Sequence, residues 1–265
     1  MHTEKIKNSD TENSEAKGFN TLGAGANVRL PLLGLTGSMA AGKSTVSAML
    51  AERGFFIVDA DKTAHDIILT EGVRQRLVEE FGRGILDEFG NIDRRKLSAC
   101  VFGAADKNSN AAIKNEMSAS AEQAETERRR RVETLNSITH PAVIKSLFEQ
   151  AETARQISGC VGVVLDVPLL IETGLHKKCD GVILVTANIE TRYARIMKRD
   201  GLSRREAQAR IAAQMPQWKK KRFADYIIEN DTTEAELRAR VEALAARLCG
   251  GSTANRTTRQ PSGGE

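Results

Sequence analysis

Between residues 30 and 248 the chain alternates short apolar runs with longer amphipathic stretches. The apolar runs lie at residues 30–35, 55–59, 161–167, 181–186 and 226–228. Runs of that length fit strands, and near-continuous apolar character fits strands covered on both faces, as in a parallel sheet. Several of the intervening stretches follow helical spacing. Residues 43–53 place Val46, Met49 and Leu50 on one face and meet Gly54, read as the C-cap. Ser203 and Glu206 stand at capping-box spacing and open a helix toward Gln214. Residues 234–248 carry Leu237, Val241, Leu244 and Leu248 on one stripe, with Gly250 following. The alternation predicts an α/β fold with a mostly parallel five-stranded sheet.

The pattern fades in three places. Residues 1–29 and 251–265 are polar and aperiodic, and disordered tails are expected there. Residues 106–133 are rich in Ala, Glu, Asn, Ser and Arg, with few large apolar side chains. Glu125 with Arg129 and Glu127 with Arg131 form i,i+4 pairs, so a solvated helix is expected, and the arginines at 128–131 read as a charged exposed face rather than an anion site.

Composition narrows the function classes. Of 265 residues, 40% are apolar and 28% charged, as in an ordinary globular protein. With 39 basic against 35 acidic residues the net charge is only +4, which argues against nucleic acid as the main partner. The sparse aromatics do not alternate with Lys or Arg, so no single-strand stacking platform is expected. Cys100, Cys160, Cys179 and Cys249 are scattered, without metal-ligand spacing, and read as buried thiols in a reducing compartment. The longest apolar run contains Asp166 and Pro168 and is too short to span a bilayer. The acidic N-terminal stretch has no signal-peptide core. A cytoplasmic protein without membrane contact is expected, as a monomer or weak homo-oligomer.

The chemistry begins at Gly37, Ser38, Met39, Ala40, Ala41, Gly42, Lys43 and Ser44, which fit G-x-x-x-x-G-K-S between a predicted strand and a predicted helix. Such a loop wraps backbone N–H groups around nucleotide phosphates. Gly37 and Gly42 permit the tight path, and the helix end adds its own N–H groups and dipole. Lys43 is placed to bridge β- and γ-phosphates and the Ser44 hydroxyl to ligand Mg²⁺. This reads as a nucleotide site for ATP, with Thr45 extending it. The second strand ends Val58-Asp59-Ala60-Asp61. In extended chain Asp59 and Asp61 face the same way; one suits a general base and the other Mg²⁺ support, or both are turn or N-cap residues. The third strand ends in Asp166, a Walker B pattern near the metal, or else a turn cap. Arg192, Arg195 and Arg199 share one helical face, suiting either a lid that neutralises the triphosphate or a solvated surface.

These elements occur in a specific order. It runs Leu35-Thr-Gly, Gly-Lys-Ser-Thr45, Asp59-Ala-Asp61, Phe81-Gly, Gly90-x-x-Asp-Arg94-x-x-Leu97 and Val101-Phe102. It continues through His140-Pro141, Asp166-Val-Pro-Leu-Leu-x-Glu172, Arg195-x-x-x-Arg199, Arg210-Ile-x-x-Gln214 and Ala224-Asp-Tyr-x-Ile-x-Asn230. The series resembles the dephospho-CoA kinase family from about Leu32 to Leu248. The resemblance implies a P-loop three-layer αβα core at residues 30–61 and 159–250, with a helical lid near 190–220. It also implies an inserted helical substrate domain at 62–158, carrying the charged insertion. It implies ATP and Mg²⁺ as cofactors and dephospho-CoA as substrate, phosphorylated on its 3′-hydroxyl. By the same resemblance Asp61 matches the base, and Lys43, Ser44 and Asp166 match phosphate and metal ligands. Asp59, His65, Arg94 and His140 fall in the substrate region, Arg195 and Arg199 in the lid, and Asn230 near the adenine end of ATP. Three departures stand out: His65 where the family has Arg, a connection from Phe102 to His140 longer by about twenty residues, and Ser38-Met-Ala-Ala within the loop. The alternatives are another P-loop nucleoside or nucleotide kinase, against which the His-Pro and Asp-Val-Pro-Leu-Leu-x-Glu elements argue, and a regulatory switch, for which an Asn-Lys-x-Asp stretch is missing.

Overall fold

A computed structural model describes residues 29–103 and 118–250 of the chain. The expected tails, apart from Arg29, and residues 104–117 lie outside the described residues. Five strands form one sheet in the order β2-β3-β1-β4-β5: β1 (Leu32–Gly37), β2 (Phe55–Asp59), β3 (Gly162–Asp166), β4 (Gly181–Thr186) and β5 (Tyr226–Glu229). All four pairings are parallel. The apolar runs therefore predict each strand's existence, with β1 moved two residues onward. Thr36 and Gly37 extend it because they continue the ladder with Leu184 and Val185 of β4.

Alternation along β1, β3 and β4 distributes their side chains between two cores. On one face Leu33, Leu35, Val164, Ile183 and Val185 meet Val46, Met49 and Leu50 of α1 (Lys43–Ala51). Leu237, Val241, Leu244 and Leu248 of α9 (Glu234–Gly250) join them, so the predicted stripe of that helix is its buried face. On the other face Leu32, Val58, Val163, Leu165 and Val182 pack on Val143, Leu147, Ala151 and Ala154. These four belong to α5 (Ser118–Ala154), a helix of 37 residues. The result is the expected three-layer α/β sandwich.

A third core lies away from the sheet. It joins α3 (Glu71–Phe81), a 3₁₀ turn at Arg83–Ile85, α4 (Arg94–Phe102) and the earlier half of α5, through Val73, Leu77, Ile85, Leu97, Val101 and Ile138. Between β2 and α3 runs α2 (Ala60–Ile68), which packs along α5. One helix thus serves both the helical unit and the sheet. Residues 118–133, assigned to a surface insertion, form the first turns of this helix. Their Glu125–Arg129 and Glu127–Arg131 pairs form as expected. Arg131, however, also donates to Cys100 O at 2.9 Å, and Val132 packs against the third core, so the segment's end is structural.

After β4 come α6 (Ile189–Asp200), α7 (Arg204–Ala212) and the short α8 (Gln217–Lys221). Asn188 caps α6, and Ser203 with Glu206 closes both halves of the capping box at α7. Helix α1 is capped by Glu52 rather than Gly54, which follows at φ 87° and donates to Ala51 O. The four cysteines are free and half-buried rather than fully buried. Among the described residues no helix is long and apolar enough to cross a membrane.

Candidate active site

Three strand ends stand side by side at one edge of the sheet. Strand β1 runs into the loop at Gly37, its neighbour β3 ends at Asp166, and β2 beyond it ends at Asp59. Asp59 and Asp166 are register partners, so their backbones are about 4.8 Å apart. Ligands of open parallel sheets bind beyond this edge, where the strand order reverses.

The loop from Gly37 to Ser44 is shaped by two backbone features. Ala41 N–H donates to Ser38 O at 3.0 Å and closes a turn; within it Ala40 has φ 60°, the sole positive φ at a non-glycine among the described residues. That conformation costs about 1–2 kcal/mol for an L-residue. Gly42 is the N-cap of α1 with φ 91°, and a Cβ there would lie 2.0 Å from Asn230 Nδ2, so only glycine fits. The first turn of α1 holds no acidic side chain and no side-chain cap, which leaves its N–H groups and positive dipole end available to an anion. Lys43 Nζ forms an ion pair with the buried Asp166. Ser44 and Thr45 are exposed in the same turn, and the Ser38 hydroxyl is buried without a hydrogen-bond partner.

The loop's carbonyl side is held from the lid and from β5. Arg192 Nε donates to Met39 O at 2.9 Å. Arg195 reaches Ala40 O at 3.3 Å, Ala41 O at 3.4 Å and Asn230 O at 2.9 Å. Asn230 Nδ2 donates to Ala41 O at 2.8 Å, and Gln214 Oε1 accepts from Met39 N–H at 3.1 Å. Arg192 is only 6% exposed, and burial pushes its guanidinium below the ordinary value, against a smaller opposing effect of Tyr193. The arginine row therefore divides. Arg192 and Arg195 grip the loop's backbone. Arg199 is exposed and pairs with Asp200 at 2.7 Å, which also accepts from Arg210 at 2.9 Å.

The acceptor side is looser. Asp59 Oδ1 accepts from Asp61 N–H at 2.8 Å and Lys62 N–H at 3.0 Å: it is the N-cap of α2, which starts at Ala60. The expectation that Asp59 and Asp61 share one strand face is corrected accordingly, because the chain turns helical between them. Asp61 lies exposed in the first turn of α2. His65, one helical turn on, is half-buried with Nδ1 unpartnered. Arg94 is the first residue of α4, exposed beyond the Asp93 cap. His140 is also exposed and does not start a helix: Pro141 sits inside α5, where its missing N–H leaves Ser137 O without its helical donor.

One pair escaped sequence reasoning. Lys220 is 0% exposed, and its Nζ meets Glu172 at 2.8 Å and Pro168 O at 3.4 Å; Pro168 O also accepts from Thr36 Oγ1 at 3.0 Å. The segment just beyond Asp166 is thereby tied to both β1 and α8. Glu172 was visible in the Asp-Val-Pro-Leu-Leu-x-Glu element, but nothing marked Lys220 out from its lysine neighbours.

A parallel sheet with this loop at its central strand, a strand-end carboxylate on the loop lysine and a helical lid defines a P-loop kinase. The family model for dephospho-CoA kinase matches residues 31–123 and 118–236. The chain is 42% identical over 221 residues to the dephospho-CoA kinase of Symbiobacterium thermophilum, covering 83% of this chain and 82% of that one. It is 41% identical over 203 residues to that of Carboxydothermus hydrogenoformans, covering 76% and 86%. A solved structure from Thermus thermophilus superposes with TM-score 0.62 at 31% identity, covering 83% of this chain and 98% of the other. The dephospho-CoA kinase of Campylobacter jejuni gives TM-score 0.54 at 25% identity over the same shares. The chain belongs to the dephospho-CoA kinase family, whose members are ATP-dependent kinases.

Proposed function

We propose that the protein transfers the γ-phosphate of ATP to the 3′-hydroxyl of dephospho-CoA, giving CoA and ADP, with the residues at the strand ends in the following roles. The loop's N–H groups and the start of α1 bind the β-phosphate, and Lys43 moves from Asp166 to the β- and γ-phosphates. Asp61, in the first turn of α2, orients the acceptor hydroxyl and takes its proton. Asp59 supports that turn as its N-cap. Arg94 and His140 offer exposed donors to the substrate's anionic groups, and the half-buried His65 stands one helical turn beyond Asp61. Arg195 and Asn230 serve ATP by holding the loop, and Arg199 is the lid cation free to exchange Asp200 for the transferring phosphate.

The same residues fit Mg²⁺. Among the described residues no three or more His, Cys, Asp or Glu gather to hold a metal unaided. That suits an ion shared between one or two protein groups, water and nucleotide phosphates. Ser44 Oγ and the Asp166 carboxylate would hold it, and it would shield charge on the transferred group. The four free cysteines favour a reducing, cytoplasmic setting.

The observation that carries this reading is that the phosphate loop and the Asp59-Ala60-Asp61 turn stand at the same sheet edge, one strand apart, within a family match that spans both. The test is formation of ADP from ATP with dephospho-CoA, adenosine or shikimate as acceptor. Product with dephospho-CoA alone is expected; equal rates with adenosine would make the protein a general nucleoside kinase.

A further inference from the structure

Ala40 is the one strained backbone position in the phosphate loop, and the two peptide groups that flank it are both gripped from α6. The group before it, Met39 C=O with Ala40 N–H, is held by Arg192; the group after it, Ala40 C=O with Ala41 N–H, is held by Arg195. All peptide bonds of the described residues are trans, so each N–H points opposite to its carbonyl. Fixing Met39 O against Arg192 therefore turns Ala40 N–H to the far side. Fixing Ala41 O between Arg195 and Asn230 does the same for Gly42 N–H. Those N–H groups line the concave side, where an anion is received. The Ala41 carbonyl has two donors. The Met39 carbonyl is met by Arg192, whose guanidinium is buried against it.

We propose that Arg192 is a positioning residue of the phosphate loop: by holding the Met39–Ala40 peptide it keeps Ala40 at positive φ, and with it the nest of N–H groups that binds the β-phosphate. This rests on the nucleotide reading of the loop. A side chain in left-handed backbone persists only where its surroundings over-determine it. Without Arg192, Ala40 relaxes toward negative φ and the Met39–Ala40 peptide rotates, taking a phosphate donor with it. The role requires a donor at the Met39 carbonyl rather than charge at the phosphate, so the two possibilities separate by genetics.

The test uses Arg192→Met, which keeps the apolar stem and removes the donors, with Arg192→Leu as a shorter apolar variant should the first not fold. ADP affinity is measured by calorimetry, with KM for dephospho-CoA alongside. Arg192→Met should weaken ADP about tenfold and leave KM for dephospho-CoA within twofold. Adding Ala40→Gly should restore ADP affinity to within about threefold, because glycine holds positive φ without a clamp. Wild-type protein that fails to bind ADP would sink the nucleotide reading itself. A folded Arg192→Met or Arg192→Leu variant with wild-type ADP affinity would overturn the proposal. So would a loss that Ala40→Gly does not repair, since that is the signature of a charge acting directly on the phosphate.

Discussion

The two halves of the catalytic edge are built differently. On the nucleotide side four side chains, two from α6 and one each from just past α7 and just past β5, hold the loop's backbone from Met39 to Ala41, and Lys43 is paired with a buried carboxylate. On the acceptor side Asp59, Asp61, Arg94 and His140 are exposed, and the hydrogen bonds that order the turn run from Asp59 to backbone rather than to another functional side chain. The phosphate loop is held by the protein's own contacts, so on the proposed function ATP binding should order little there. On the proposed function, the bound substrate completes the acceptor half. Mutations in the first half should disturb nucleotide binding or stability. Those in the second should lower turnover and leave stability alone.

The largest effect expected is at Lys43. Lys43→Ala removes the charge proposed to meet both terminal phosphates and leaves Asp166 buried without its partner. Turnover should fall about 10³-fold. A variant with near-normal kcat at saturating ATP would show that the held half is not the nucleotide half. Asp61 comes next. Asp61→Asn should keep the melting temperature and ADP affinity and lower kcat at least about 10²-fold. A defect confined to KM for ATP would move the base elsewhere. Asp59→Asn separates cap from charge, because Asn caps helices as well as Asp. It should therefore melt normally and show its defect in the Mg²⁺ concentration needed for half-maximal rate.

How much of this was legible beforehand differs between the same two halves. Local chemistry gave the phosphate loop, the strand-end Asp166 and the Ser203 capping box, because each is a short pattern with its own physical reason. The strands at residues 55–59 and 181–186 were read with their observed bounds, since apolar runs that end in Asp or Thr leave little freedom. Of the two readings of Asp59 and Asp61, the N-cap one holds for Asp59, which ends the strand by capping α2; the shared strand face fails because period-two reasoning applies only while the chain stays extended. Arg192 and Lys220 escaped for another reason. Sequence presents them as members of charged rows, and only tertiary packing chooses which member is buried. Residues 118–133 were read as a solvated helix of their own, and helix continuity across Pro141 makes them the start of α5.

Lys220 tests the stability side of the comparison. Its charge is fully buried and is met by Glu172, which keeps some contact with water. Removing one partner of a fully buried pair costs roughly 3–5 kcal/mol; with Glu172 partly solvated, Lys220→Met should cost about 2 kcal/mol. The melting temperature should drop by about 4–8 °C. The double variant Lys220→Met, Glu172→Leu should recover most of that loss, because no unpaired carboxylate remains. A double variant as unstable as the single one would mean that the bond to Pro168 O, and not the ion pair, secures the segment after Asp166.

The smallest effect expected lies farthest from the edge, in the charged stretch before α5, and the place of the cut decides it. Replacing residues 106–117 by a short Gly/Ser linker removes no contact among the described residues. Closure entropy changes slowly with loop length, by about 0.6 kcal/mol per doubling, so melting temperature and kcat should both stay close to wild type. Extending the replacement to residue 133 removes the first turns of α5, the Arg131 bond to Cys100 O and the packing of Val132 on the third core. That cut should cost about 2 kcal/mol or more, from a lost charged hydrogen bond and a partly buried Val. Since α5 carries the third core into the sheet's second face, loosening its start should also raise KM for dephospho-CoA while KM for ATP stays put. If both cuts are silent, α5 does not transmit order from the helical unit to the sheet. If the shorter cut already raises KM for dephospho-CoA, the acceptor half extends into residues 106–117.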